Sequence, residues 1–161
     1  MTLTLATLTL GLGCDRGTSI ETLTLAVEQA LAKAHAELTN VAAVASITLK
    51  ADEAGLLALA ARHGWPLTFY RPDELAAVTV PNPSETVRRH TGTPSVSEAA
   101  ALLRAGAADA SALLVEKHKL LGADGKNATV SIARCALGFV SGFVPGFIPP
   151  SPATPIFDLT S

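Results

Sequence analysis

The run Gly11-Leu12-Gly13-Cys14-Asp15-Arg16-Gly17 places glycines, a thiol and a guanidinium between an alternating apolar strand and a helix start. Glycines let the backbone approach a ligand, and a helix amino end adds free N–H groups and partial positive charge, so the segment has the make-up of an anion-accepting turn. It equally makes a tight strand-to-helix turn that needs only positive φ. A dinucleotide site is disfavoured: the ribose-binding acid is expected roughly 20 residues on, whereas Asp52 lies 35 residues after Gly17. Ser46 and Lys50 fall at and just beyond the end of a second apolar strand, where open α/β sheets hold ligands, within reach of one crevice with Arg16. Glu53 behind them reads as a helix cap or as a partner for Lys50, an exposed pairing worth no more than about 1 kcal/mol.

The segments PNPSETV and TGTPS bring Asn82, Ser84, Thr91, Gly92 and Thr93, whose hydroxyls and amides make two further anion-accepting rims. Asn82 and Ser95 are each explained by helix capping alone. Glu116, Lys117, His118 and Lys119 follow a strand expected over Ser111–Val115; that charged end is either a solvated loop or a third crevice loop whose Lys117 and Lys119 suit carboxylates. His35, His63, His90 and His118 are scattered without ligand spacing, so neither a metal nor a resident cofactor is expected. Beside a helix amino end Cys14 has the placement of a lowered-pKa nucleophile, but no adjacent His supplies a base, and a small buried residue is the simpler role. Cys14 and Cys135 are the only cysteines and should be free thiols.

Positioning these groups requires alternating strands and helices. Leu8, Leu10 and Leu12 alternate with Thr9 and Gly11 as in a strand, with Leu3 and Leu5 in the opposite phase. Thr18 and Glu21 match a capping box ahead of Ile20, Leu23, Val27, Leu31 and Ala34, a helical face running to about Leu38. Val41–Leu49 reads as a buried strand, Asp52 as the cap of a helix ended by Gly64, and Leu67–Tyr70 as a short strand followed by a brief helix with Pro72 in its first turn. Asn82 to Gly92 and Ser95 to Gly106 frame two more helices, the second with a Ser95–Glu98 capping box. Ser111–Val115 and Ala128–Ala133 complete the strands. The pattern predicts a single α/β domain over residues 1–137, with a mixed, largely parallel sheet and helices on both faces. Residues 138–161 form a Phe/Gly/Pro-rich tail expected to be poorly ordered and dispensable for folding.

Twelve Lys and Arg against fourteen Asp and Glu leave no basic stripe, so no nucleic-acid partner is expected. The leading MTLTLATLTLGLG lacks a basic signal-peptide start and alternates like a strand rather than a membrane span, which predicts a cytoplasmic protein without membrane attachment.

In order, GLGCDRGTS, SITLKADE, VPNPSETVRRHTGTPSVSEAAALL, EKHKLL and ATVSIAR resemble the CobE and CbiG C-terminal family of cobalamin biosynthesis over about positions 7 to 135. Asp15 stands where that pattern leads one to expect a basic residue. The resemblance implies a role in building the corrin ring of vitamin B12, with a precorrin-type tetrapyrrole as ligand and other cobalamin-biosynthesis enzymes as partners. In CbiG the related domain ends a larger protein that opens a δ-lactone in a cobalt-precorrin and releases acetaldehyde; this chain more resembles the stand-alone CobE form. Such macrocycles are fringed with acetate and propionate groups, which call for N–H and cationic contacts spread over a broad crevice. Three functions stay open. One is an accessory or carrier protein that binds through Gly11, Gly13, Arg16, Ser46, Lys50 and Lys117. Another is a hydrolase acting on a precorrin lactone (cobalt-precorrin 5A hydrolase activity), with Lys50 and Glu53, or Cys14, in chemical roles. A third is an interaction module for another cobalamin enzyme. Binding is favoured, because no nucleophile, base and orienting group stand together.

Overall fold

The computed structural model describes residues 7–107 and 109–135. The phase change at Leu3 and Leu5 and the tail from residue 138 lie outside the described residues. The elements run β1 (Leu8–Cys14), α1 (Ile20–Lys33), β2 (Val41–Ile47), α2 (Ala54–His63), β3 (Leu67–Tyr70), α3 (Pro72–Ala76), α4 (Glu85–Thr91), α5 (Val96–Ala105), β4 (Leu113–Leu121) and β5 (Asn127–Arg134).

The strands form one sheet in the order β3-β2-β1-β5-β4. Its β1–β2 and β2–β3 ladders are parallel, and its β1–β5 and β4–β5 ladders are antiparallel. The sheet is therefore mixed, as the sequence pattern predicts, but evenly so. The reason is that β4 extends through the charged Glu116–Lys119 stretch to Leu121 and turns back directly into β5, so a hairpin replaces a helical crossover. The expected strand end at Val115 is thus corrected: Glu116–Lys119 is strand, not loop.

Several expected helix ends shift as well. The cap of α1 is Ser19, whose hydroxyl accepts from Thr22 N at 3.1 Å, because Thr18 spends its own on the Asp15 carbonyl at 2.6 Å. That helix stops at Lys33, short of Leu38, and the chain turns at His35 with φ 54°. Glu53 rather than Asp52 precedes α2, and Ser84 rather than Asn82 caps α4, accepting from Val87 N at 3.2 Å. Gly64, Gly92 and Gly106 end α2, α4 and α5 in the left-handed region, as expected.

The two faces of the sheet are built differently. On one, Leu8, Leu10 and Leu12 of β1 and Val130 and Ile132 of β5 pack against Leu23, Val27 and Leu31 of α1 and Leu56 and Leu59 of α2. Both helices lie on this face because successive right-handed crossovers carry the chain the same way, from β1 to β2 to β3. The opposite face presents small or hydroxylic residues, Thr9, Gly11, Ala45, Ser131 and Ala133, and α5 lies on it. Thr9 Oγ1 donates to the Ala101 carbonyl at 2.9 Å, and Ser131 Oγ lies 2.9 Å from Ser97 Oγ.

Contact at Gly11 is closest: a Cβ there would lie 1.8 Å from the Ser97 carbonyl oxygen and 2.7 Å from Ala101 N. Backbone atoms on a buried helix cannot step aside as a flexible side chain would. Gly11→Ala should therefore cost about 1–3 kcal/mol or prevent folding, while Gly13→Ala, whose Cβ would have no neighbour nearer than 3.9 Å, should stay within about 0.5 kcal/mol. Urea unfolding of both variants measures the difference; equal stabilities would mean that α5 sits farther from β1.

Candidate functional site

Because β5 runs antiparallel to both β1 and β4, the carboxyl ends of β1, β2 and β4 and the start of β5 meet at one edge of the sheet. There a cavity of about 710 Å³ opens between the strand ends, α4 and the amino end of α5. That volume lies within the range of small-molecule sites.

Of the residues singled out from sequence, Gly13, Cys14, Arg16, Lys50, Ser84, Thr91, Lys117 and Lys119 line this cavity. The three chain regions expected to share a crevice do share one. Gly11, Ser46, Glu53, Asn82, Gly92 and Thr93 do not reach its wall, each for a visible reason. Gly11 lies under α5. Ser46 is fully buried and donates to the Leu12 carbonyl at 2.6 Å, tying β2 to β1. Asn82 donates to Glu98 Oε2 at 2.6 Å and Glu116 Oε1 at 3.1 Å. Gly92 is the left-handed end of α4 against Pro72, and Thr93 is buried behind it.

Glu53 does not pair with Lys50. Its carboxylate accepts from Gly17 N at 2.9 Å and lies 3.1 Å from the Arg16 guanidinium. Arg16 also bonds Asp52 at 2.8 Å and the Leu49 carbonyl at 2.8 Å. Proximity to Asp52 raises the Arg16 pKa and holds the Asp52 carboxyl below its ordinary value. On the other flank, Asp15 accepts from Asn127 N at 2.8 Å and from Asn127 Nδ2 at 3.1 Å. At the α1 amino end Asp124 accepts from Ser19 N at 2.9 Å and Lys126 N at 3.0 Å, which pulls its carboxyl down to about 2. The glycine turn is therefore already filled by the protein's own carboxylates, with Gly17 at φ 84° giving Glu53 its amide.

The cations lining the rest of the cavity are differently engaged. The side-chain ammonium groups of Lys50 and Lys119 make neither hydrogen bond nor ion pair among the described residues. Lys117 Nζ donates to the Asn82 carbonyl at 3.2 Å. Burial lowers its pKa below the usual lysine value, and the neighbouring Lys119 adds to this while the Glu98 charge opposes it. A bulge in β4 between Val115 and His118 sets the facing of this stretch. Lys117 and Lys119 point to the cavity side and His118 to α1, where its Nε2 lies 2.8 Å from Gln29 Oε1.

Reading from sequence missed five contributors. Glu98, fully buried behind the cavity, was expected to complete a capping box but bonds Asn82 instead. Ser95 and Ser97 of the α5 amino end line the cavity, as do Asn127 and Thr129 at the start of β5. Register could have found Thr129, since Gly13, Thr129 and Lys119 form one row across β1, β5 and β4. Among the described residues no group of three or more His, Cys, Asp or Glu stands together to hold a metal, and no helix is long and apolar enough to cross a membrane.

The family described as cobalamin synthesis G C-terminus matches residues 8–133. A cobalt-precorrin-5A hydrolase of Priestia megaterium is 39% identical over 126 residues, which are 78% of this chain and 32% of that protein. Protein CobE of a Sinorhizobium species is 41% identical over 103 residues, 63% of this chain and 67% of that one. The chain thus spans about a third of the first relative and two thirds of the second. The crystal structure of CobE, a protein from the cobalamin biosynthetic pathway, superposes with a TM-score of 0.64 at 33% identity, covering 84% of this chain and 96% of that one.

Burial raises the Cys14 thiol to about 11, against the opposing charge of Lys50, and burial likewise raises Cys135 to about 11. At pH 8 each thiolate is then a fraction of order 10⁻³, so alkylation by iodoacetamide should run roughly 100-fold slower than for a free thiol, with the rate climbing until about pH 11. The raised values also make the folded state bind protons that the unfolded state releases. This stabilisation is full below the ordinary thiol pKa and is lost as pH rises toward 11. A rate plateau near pH 8.5 in mass-spectrometric alkylation would contradict the burial of these thiols.

Proposed function

The chain belongs to the cobalamin synthesis G C-terminal family, and from that premise we propose that it binds a precorrin-type tetrapyrrole by its carboxylate groups, as an accessory or carrier protein of corrin synthesis. The observation that carries this reading is the 710 Å³ cavity with Lys50 and Lys119 on its wall, neither committed to a partner among the described residues. Unpaired cations in a concave, partly apolar site suit a macrocycle with a carboxylate fringe, each arm forming a charge-assisted contact. Lys50 stands at the end of β2 and Lys119 on β4, on either side of β1, so that a broad ligand lying across the strand ends meets both. A carrier passes its cargo on, which makes other cobalamin-biosynthesis enzymes its expected partners.

A hydrolase acting on a precorrin lactone is the second reading, favoured by the likeness to the Priestia megaterium protein. The residues nominated for that chemistry are not assembled for it. Glu53 faces Gly17 and Arg16 rather than Lys50, and Cys14 is held protonated at neutral pH. Binding without chemistry therefore has the stronger support.

Titration with uroporphyrin, an octacarboxylate tetrapyrrole, and with its octamethyl ester tests the proposal by absorbance. Uroporphyrin should bind and the ester should not. Lys50→Ala should weaken binding by about 10- to 100-fold, the loss of a hydrogen bond to a charged group, with thermal stability unchanged. Equal affinity of Lys50→Ala and the unaltered chain would remove Lys50 from the site. Conversion of a precorrin lactone by the purified protein would establish the hydrolase instead.

A further inference from the structure

The amino end of α5 opens onto the cavity without the side-chain cap that its sequence promises. The first amides of any helix lack intrahelical acceptors, and an N-cap serine ordinarily accepts from one of them. Ser95 occupies that position but makes no such bond. The residue is 1% exposed, its Oγ has no hydrogen-bond partner, and it lies on the cavity wall beside Val96 and Ser97. A buried hydroxyl left unpaired costs free energy, so an acceptor and donor are missing at this point. Glu98, three residues on, does not fill the gap, because its carboxylate turns to Asn82. By contrast the caps of α1 and α4 are closed internally by Ser19 and Ser84.

We propose that the α5 amino end, the Ser95 hydroxyl and Lys117 together seat one carboxylate arm of the ligand, an acetate or propionate group. This rests on the tetrapyrrole reading for the identity of the ligand but not for the chemistry of the seat. The carboxylate accepts from the open amides and from the Ser95 hydroxyl and meets the helix-end partial charge, which favours anions. Lys117, on the β4 side of the same cavity, supplies a full positive charge, which also offsets Glu98 behind it. The seat differs from the glycine turn, where Glu53 already occupies the Gly17 amide. Of the helix amino ends at α1 and α5, the first is closed by Ser19 and Asp124 and the second has no side-chain cap.

The test uses two probes on the full chain. Sodium propionate, followed by amide NMR, should shift the Val96 and Ser97 signals saturably and leave those at the start of α1 in place. In Ser95→Asp, which supplies its own capping carboxylate, the same propionate should shift nothing there. Uroporphyrin should bind Ser95→Asp at least 10-fold more weakly than the unaltered chain, and Ser95→Ala, which loses only the hydroxyl, several-fold more weakly; thermal unfolding confirms that both are folded. Absence of propionate shifts at Val96 and Ser97, or identical shifts in Ser95→Asp, overturns the seat. If uroporphyrin binds the unaltered chain and Ser95→Asp equally, the seat fails while the tetrapyrrole reading stands. If uroporphyrin does not bind but propionate shifts those amides, the seat stands and the tetrapyrrole reading fails.

Discussion

The absence of a side chain at Gly11 is the constraint on which the candidate site depends. With a hypothetical Cβ only 1.8 Å from the Ser97 carbonyl, the first turns of α5 must lie directly on the backbone of the central strand. The neighbours on that face conform: Thr9 bonds the Ala101 carbonyl, Ser131 meets Ser97, and Ala45 and Ala133 add little bulk. Close approach at this point fixes where the helix begins, so Ser95 and Ser97 arrive at the cavity opposite the end of β1. The other face carries the large aliphatic side chains and most of the apolar burial that holds the domain together. One face of the sheet thus holds the fold, and the other holds a helix in register with the strand ends.

Charge is divided with the same economy. The acids Asp15, Glu53 and Asp124 are spent on backbone amides of Asn127, Gly17 and Ser19, which pins the β1–α1 turn to its neighbours. Arg16 joins the turn to the β2–α2 junction through Leu49 and Asp52. Those exposed charge pairs add little stability individually. Their effect is geometric: the segment that most resembles an anion loop is closed by the protein, and Lys50, Lys117, Lys119 and the α5 amino end are left lining the rest of the cavity.

The architecture was legible from the chain because its signals are local. Strand alternation at Leu8, Leu10 and Leu12, the 3.6-residue face of α1 and the glycines at 64, 92 and 106 each act within one element. The caps were legible only to within a residue or two, since Thr18 and Ser19, or Asp52 and Glu53, offer the same chemistry, and only the tertiary partner decides which is used. Site residues divided along the same line. Lys50 could be placed by the end of β2, whereas Lys117 and Lys119 were marked by their charge alone, since the strand end expected at Val115 lies farther on, at Leu121. Ser46, Asn82 and Glu53 could not be placed, because the acceptors or donors that claim them lie 16 to 36 positions away.

β4 shows how a change of strand direction makes a site from an unremarkable sequence. Glu116-Lys117-His118-Lys119 has the composition of a solvated loop, and in a parallel sheet a helix would follow it. Here β4 instead pairs antiparallel with β5 and carries an extra residue between Val115 and His118. The bulge resets the alternation, so that His118 turns inward to Gln29 while Lys117 and Lys119 face the cavity. Hairpin return of β5 to the side of β1 then brings Thr129 between Gly13 and Lys119 in one cross-strand row. A flat, small-residue floor with a cation at its far end results from that register alone. Since β2 delivers Lys50 on the opposite side of β1, the even mix of parallel and antiparallel ladders is what places positive charge on both flanks of the central strand.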